Sequence, residues 1–199
     1  MLFEKSNKNR SIIEIRKRIG KIFSKMELSP NQWTILSLVF SLTAAFFLFQ
    51  QKYLISALFI IISGVIDLID GAVARKKKQI TIKGAYLDTV IDRYNEFIYI
   101  LPLLFLNLQP IFMPFYIWIT FLLFGGMMTT YAKSAAAEKG VKSEIKGGIL
   151  ERAERVGLLV ISLIIAEFNI LLFEYMIVVL AILANISALQ RIQKAFQRS

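Results

Sequence analysis

Four carboxylates stand at Asp67, Asp70, Asp88 and Asp92. Asp67 and Asp70 are three residues apart and Asp88 and Asp92 four, so on helices each pair shares one face. The stretch between the pairs is short and basic. It reads as a loop joining two antiparallel helices, which lets all four acids converge at one depth. Such a cluster repels itself strongly unless cations compensate. Two divalent ions bridged by shared carboxylates would do so, and such a pair also clamps phosphates during a displacement. The chain has no cysteine and no histidine. Thiolate and imidazole ligands, histidine bases and cysteine nucleophiles are therefore excluded, and oxygen ligands favour hard ions such as Mg²⁺, Mn²⁺ or Ca²⁺. Gly71 permits close backbone approach, and Arg75 can grip a phosphate or a base edge. Lys76, Lys77 and Lys78 read as solvated anchors to lipid headgroups.

The elements that must position these acids are membrane helices. The chain has 199 residues, 56% of them hydrophobic and 19% charged, and its mean hydropathy of +0.60 exceeds that of a soluble domain. Six apolar stretches are long enough to span a bilayer: about 32–49, 53–74, 85–106, 111–135, 149–166 and 170–189. Before them, residues 11–28 place Ile12, Ile15, Ile19, Ile22 and Phe23 at helical spacing against Arg16, Lys17, Arg18, Lys21 and Lys25. This pattern fits an amphipathic helix on an anionic bilayer surface. The expected fold is all-α and integral to the membrane, one domain over 1–199: a juxtamembrane segment 1–28, a six-helix core 29–190 and a basic tail 191–199.

The net charge is +10. Of the 24 basic residues, eight precede the first span, five lie from Arg75 to Lys83, six from Lys133 to Arg155 and three from Arg191 to Arg198, while Lys52 alone falls in a loop of the opposite side. The positive-inside rule then places both termini and the site on the cytoplasmic face of the cell membrane. Charge distributed in this way explains itself by topology and lipid, and no nucleic-acid module accompanies it. The polar first ten residues show no cleavable signal.

The pattern Asp-x₂-Asp-Gly-x₂-Ala-Arg-x₈-Gly-x₃-Asp-x₃-Asp is met by Asp67, Asp70, Gly71, Ala74, Arg75, Gly84, Asp88 and Asp92. It resembles the signature of the CDP-alcohol phosphotransferases, membrane enzymes, and the six-helix layout extends the resemblance over nearly the whole chain. The resemblance implies two metal ions, Mg²⁺ or Mn²⁺, held by Asp67, Asp70, Asp88 and Asp92, with Asp92 also the general base. It implies CDP contacts from Gly71, Ala74, Arg75, Thr81 and Gly84, and from Pro30, Asn31, Gln32, Trp33 and Thr34 at the start of the first span. A homodimer is likewise implied.

The acceptor must be inferred elsewhere. Arg152 and Arg155 are three apart at a helix start, and with Lys133 and Arg191 they could cage a dianionic phosphate. The stretch from Gly147 to Arg155, the Asp92–Arg93–Tyr94 run with Glu96, and Gln190–Arg191 resemble the subgroup making phosphatidylinositol phosphate or its archaeal ether-lipid counterpart. That resemblance implies transfer from a CDP-lipid, CDP-archaeol or CDP-diacylglycerol, to inositol 1-phosphate with release of CMP. The chain departs from the subgroup at Ala135, where an arginine is often found. Other acceptors within the family are glycerol 3-phosphate, serine, or inositol phosphate with CDP-inositol as donor. A small cation transporter would also need intramembrane carboxylates, but would spread them along a path rather than gather them at one end.

Overall fold

The structure, a computed structural model, describes residue 14 and residues 17–141 and 148–197. Among these the chain is all-helical. The long elements are α1 (Pro30–Phe49), α2 (Tyr53–Lys76), α3 (Ile82–Ile100), α4 (Phe115–Glu138), α5 (Arg152–Ala166) and α6 (Ile170–Phe196), with a 3₁₀ turn at Leu101–Phe105. The all-α expectation holds. The expected third span, 85–106, is cut short because Pro102 cannot donate to a continuing α-helix, and the chain tightens into the 3₁₀ turn. α6 runs on through Arg191 to Phe196, past the expected end of the sixth span. Arg198 and Ser199 lie outside the described residues.

α1, α2, α4 and α6 are long and apolar enough to cross a membrane. α3 carries Lys83, Asp88, Asp92, Arg93 and Glu96, which lower its hydropathy. α5 has 15 residues, about 22 Å at 1.5 Å per residue, shorter than a hydrocarbon core of about 30 Å.

Local signals set the helix starts. Ser29 and Gln32 form a reciprocal cap: the Ser29 amide donates to Gln32 Oε1 at 2.7 Å and the Gln32 amide to Ser29 Oγ at 3.3 Å, with Pro30 as the first helical residue. Glu151 and Glu154 build the same box for α5, the Glu151 amide donating to Glu154 Oε2 at 2.8 Å. Asn169 Oδ1 accepts from the Leu172 amide at 3.0 Å to start α6. At the end of α2, Lys78 takes a left-handed φ of 55°. The Gln79 amide then reaches back to the Ala74 carbonyl at 2.9 Å, the closing bond of a Schellman turn.

The described chain divides into two compact units, Met1–Thr43 with Leu58–Asn95, and Ala44–Ala57 with Glu96–Ser199. In the first, Trp33, Ile66, Ile69 and Val73 form a buried cluster against which Ile19, Phe23, Leu28, Leu36, Phe40 and Ile62 pack. The expected amphipathic helix is helical over 17–23, and residues 11–13, 15 and 16 lie outside the described residues. Its apolar side faces this protein core, not lipid alone: Phe23 meets Trp33 edge-on at 5.6 Å, and burying large apolar side chains stabilises by about 1.5–3 kcal/mol each. A polar cluster joins α1, α2 and α3. Ser41 Oγ donates to Asn95 Oδ1 at 2.7 Å, Asn95 Nδ2 to Ser37 Oγ at 3.1 Å and Ser63 Oγ to the Ser37 carbonyl at 2.8 Å. Small residues of this kind bring apolar helices close and bond across them where water cannot compete.

In the second unit α4 and α5 both pack on α6, and the 3₁₀ turn packs on α4. The α4–α6 crossing is tight at Gly125, where a Cβ would lie 2.8 Å from the Asn185 amide nitrogen. Asn185 Nδ2 donates across it to the Phe121 carbonyl at 2.9 Å.

Candidate active site

The carboxylates begin at helical spacing, and the fold of the first unit brings three together. One oxygen from each of Asp67, Asp70 and Asp88 lies within 4.8 Å of the others, a spacing that a shared cation could bridge. Asp70 is 4% exposed, while Asp67 and Asp88 are half-buried. Thr34 Oγ1 donates to Asp70 Oδ2 at 2.7 Å, so a helix-start hydroxyl orients the most buried acid. Asp92 stands one turn further along α3 and is not among the three. Its Oδ2 is 3.8 Å from Arg93 Nη2. The donor set, carboxylates with a hydroxyl behind them and no nitrogen or sulfur, fits a hard divalent ion.

Beside the acids lies a cavity of about 230 Å³ lined by Pro30, Asn31, Thr34, Asp70, Gly71, Ala74, Arg75, Gln79, Ile80, Thr81, Gly84, Ala85 and Asp88. Eight of the ten residues expected to meet CDP therefore face one concavity. The first turn of α1 forms one wall, the last turns of α2 another, and the start of α3 a third. Thr81 caps α3 by accepting from the Gly84 amide at 3.0 Å. A side chain at 84 would meet Thr81 Oγ1 at 3.1 Å and Asn31 Oδ1 at 3.3 Å, which explains the glycine. Gly71 lies under the Arg75 guanidinium, whose nitrogens are 3.5 Å from where a Cβ would stand.

Gln32 and Trp33 do not line this cavity. Gln32 is spent on the cap with Ser29, and Trp33, 4% exposed, belongs to the apolar cluster. Both fall in the expected stretch, but a helix start turns only one face toward a neighbour.

The four basic residues expected at the acceptor lie in the second unit. Arg155 is buried, its Nε donating to Glu96 Oε1 at 2.7 Å and its Nη1 to Thr129 Oγ1 at 3.3 Å. Arg191 donates from Nη1 to the carbonyl of the same Thr129 at 2.7 Å, and among the described residues its buried Nε has no hydrogen-bond partner. The two guanidinium groups thus converge on one residue. Arg152 is half-buried and Lys133 exposed. Arg155 is thus an ion-pair partner as well as a candidate phosphate ligand: Nε and Nη1 donate to Glu96 and Thr129, and Nη2 lies 2.6 Å from Glu96 Oε1. Gly126 makes room for this, since a Cβ there would lie 2.9 Å from Glu96 Oε1.

The segment before α5 is held on α6. The Leu150 amide donates to Ser187 Oγ at 2.8 Å and the Ile149 amide to Gln190 Oε1 at 3.0 Å. Gly148 approaches Ser187 so closely that a Cβ would meet its side chain at 3.0 Å. Gly147 lies outside the described residues. Sequence reasoning missed Thr129, Gln79, Ile80 and Ala85, for which no spacing signal existed. Glu96 was visible only as part of a motif, with no partner named.

Residues 27–188 match the model of the CDP-alcohol phosphatidyltransferase family. The chain is 30% identical over 183 residues to an archaetidylinositol phosphate synthase from Pyrococcus horikoshii, covering 91% of this chain and 90% of that protein. It is 31% identical over 180 residues to a bifunctional IPC transferase and DIPP synthase from Aquifex aeolicus, covering 86% of this chain and 40% of that one. Among solved structures it resembles the Mycobacterium tuberculosis phosphatidylinositol phosphate synthase with CDP-DAG bound, with a TM-score of 0.79, 25% identity, and 92% and 94% of the two chains covered.

Proposed function

Because the chain belongs to the CDP-alcohol phosphatidyltransferase family, we propose that it transfers a lipid phosphatidyl-type group from a CDP-lipid to inositol 1-phosphate and releases CMP. The observation that carries this reading is the meeting of Asp67, Asp70 and Asp88, with Asp70 and Asp88 lining a cavity that Gly71, Ala74, Arg75 and Gly84 also line. The similarity to two inositol-phosphate lipid synthases supports the acceptor.

In this mechanism Asp67, Asp70, Asp88 and Asp92 hold two divalent ions, Mg²⁺ or Mn²⁺, which when bound neutralise the carboxylates and the charge developing on the diphosphate. Thr34 fixes the Asp70 carboxylate. Pro30, Asn31, Thr81 and Gly84 shape the nucleotide end of the cavity, and Arg75 stabilises the leaving CMP phosphate. Asp92 takes the proton of the acceptor hydroxyl as it attacks the phosphorus that carries the lipid. Lys133, Arg152, Arg155 and Arg191 attract the acceptor phosphate, with Arg155 oriented by Glu96. No covalent enzyme intermediate is needed. The donor is CDP-archaeol or CDP-diacylglycerol.

We further propose that α3 and α5 complete six spans with both termini and the site on the cytoplasmic face of the cell membrane, and that residues 1–199 work as one catalytic domain in a homodimer. Incubating the purified protein with each CDP-lipid and separately labelled acceptors tests the central claim. Labelled lipid formed from inositol 1-phosphate supports it; consumption of glycerol 3-phosphate alone sinks the inositol assignment. The likeness to the bifunctional Aquifex protein favours one other arm, CDP-inositol with inositol phosphate. A water-soluble phosphodiester product there would replace the lipid reading.

A further inference from the structure

We propose that the segment 17–29 is a positioning element of the donor cavity, attached to it at Gly20 and Lys77. The proposal rests on reading that cavity as the nucleotide site. Lys77 was expected to face lipid headgroups. Instead its Nζ donates to the Met26 carbonyl at 2.9 Å and the Leu28 carbonyl at 3.0 Å. Those carbonyls belong to irregular chain immediately before the Ser29 cap, where α1 begins and sends Pro30, Asn31 and Thr34 to the cavity.

Lys77 is also placed at the other wall. It follows Arg75 at the end of α2 and precedes the Schellman turn that aims Gln79, Ile80 and Thr81 at the same cavity. One ammonium therefore ties together the two stretches of chain whose separation sets the width of the site. A cation satisfying paired carbonyls at a partly buried position makes stronger hydrogen bonds than a neutral donor would.

The second attachment is a close approach. A Cβ on Gly20 would lie 2.8 Å from the Ala72 carbonyl oxygen and 3.4 Å from Lys76 Cβ. Ala72 sits between Gly71 and Ala74, which line the cavity. Any side chain at 20 must push against backbone that cannot yield without moving the motif helix. The same segment also packs Ile19, Phe23 and Leu28 on the Trp33 cluster, with Phe23 edge-on to Trp33. Lys77 and Gly20 are positioning residues: neither lines the cavity, and both fix elements that do.

The test uses the full chain in detergent with Mg²⁺, comparing Lys77→Met, Lys77→Arg and Gly20→Ala with wild type. The probes are CDP binding by calorimetry and the rate of tryptic cleavage at Lys17, Arg18, Lys21 and Lys25. Lys77→Met and Gly20→Ala are expected to weaken CDP binding about tenfold and speed cleavage, and Lys77→Arg to restore both, since a guanidinium can still donate to paired carbonyls. In turnover, KM for the CDP-lipid should rise while KM for the acceptor stays within about twofold. Unchanged CDP affinity in both Lys77→Met and Gly20→Ala overturns the proposal, as does unchanged cleavage. A wild-type protein that binds no CDP overturns instead the nucleotide reading beneath it.

Discussion

Arg155 and Glu96 meet across 59 positions of sequence, Nε to Oε1 at 2.7 Å, with side chains 3% and 9% exposed. A buried pair of this kind adds little net stability over an apolar pair, but losing one member leaves an uncompensated charge inside the protein. Glu96→Ala should therefore cost about 3–5 kcal/mol, while Glu96→Leu combined with Arg155→Met should recover most of it. Reversible unfolding in mixed micelles measures both. A double variant no more stable than the single one would mean that the pair's worth lies in its geometry.

The Thr34–Asp70 hydrogen bond places a hydroxyl behind the most buried carboxylate. Groups that orient a metal ligand typically change metal affinity by about 10–100-fold when removed. Thr34→Val, which keeps the volume, should raise the Mg²⁺ concentration for half-maximal activity by that amount. Thr34→Ser should leave it nearly unchanged. A metal titration of CMP release gives the answer.

Asp70 and Asp92 should separate by phenotype. Asp70→Asn removes a member of the converging trio and should abolish metal binding and turnover together. Asp92→Asn should keep most of the metal affinity while lowering kcat by about 10²–10⁴, the usual contribution of a positioned base. Calorimetric Mg²⁺ binding alongside CMP release distinguishes the two. Loss of metal binding in Asp92→Asn would make that residue a ligand before anything else.

Gly125 offers a prediction remote from the chemistry. A methyl there would meet backbone atoms of Ala184 and Asn185 under 3.0 Å. Gly125→Ala should destabilise by about 1–3 kcal/mol despite its small size and good helix propensity. The thermal midpoint in detergent should fall, with KM values unaltered in the protein that remains folded.

Much of the site was legible because it is written at short range. Spacings of three and four residues place Asp67 beside Asp70 and Asp88 beside Asp92 whatever the rest of the chain does, and the glycine at 84 marks a crowded helix start. The partners of Arg155 were not legible, since a charge on a helix start reads equally as a phosphate ligand or half of an ion pair until the residue opposite is known. The stretch 30–34 names Trp33 with its neighbours, whereas a helix sends adjacent residues in different directions, and Trp33 packs in the apolar cluster. Lys77 sits in a run of three lysines, and only tertiary structure distinguishes the one that turns inward. The charges on α3 and the shortness of α5 stand in the sequence, but flanking apolar residues extend each stretch past the helix the structure forms.

The serine and asparagine cluster bears on how the protein is made. Asn95 finds its partners on α1 at Ser37 and Ser41, and α3 is the helix least suited by composition to dissolve in lipid alone. If α3 crosses the bilayer as proposed, its cost of insertion falls once α1 and α2 are present to receive it. Biogenesis then has an order: the first two helices enter the membrane before the third, and the aspartates of α2 wait for those of α3. A nascent chain halted after α2 would carry half the acids and none of the bonds that bring in the rest.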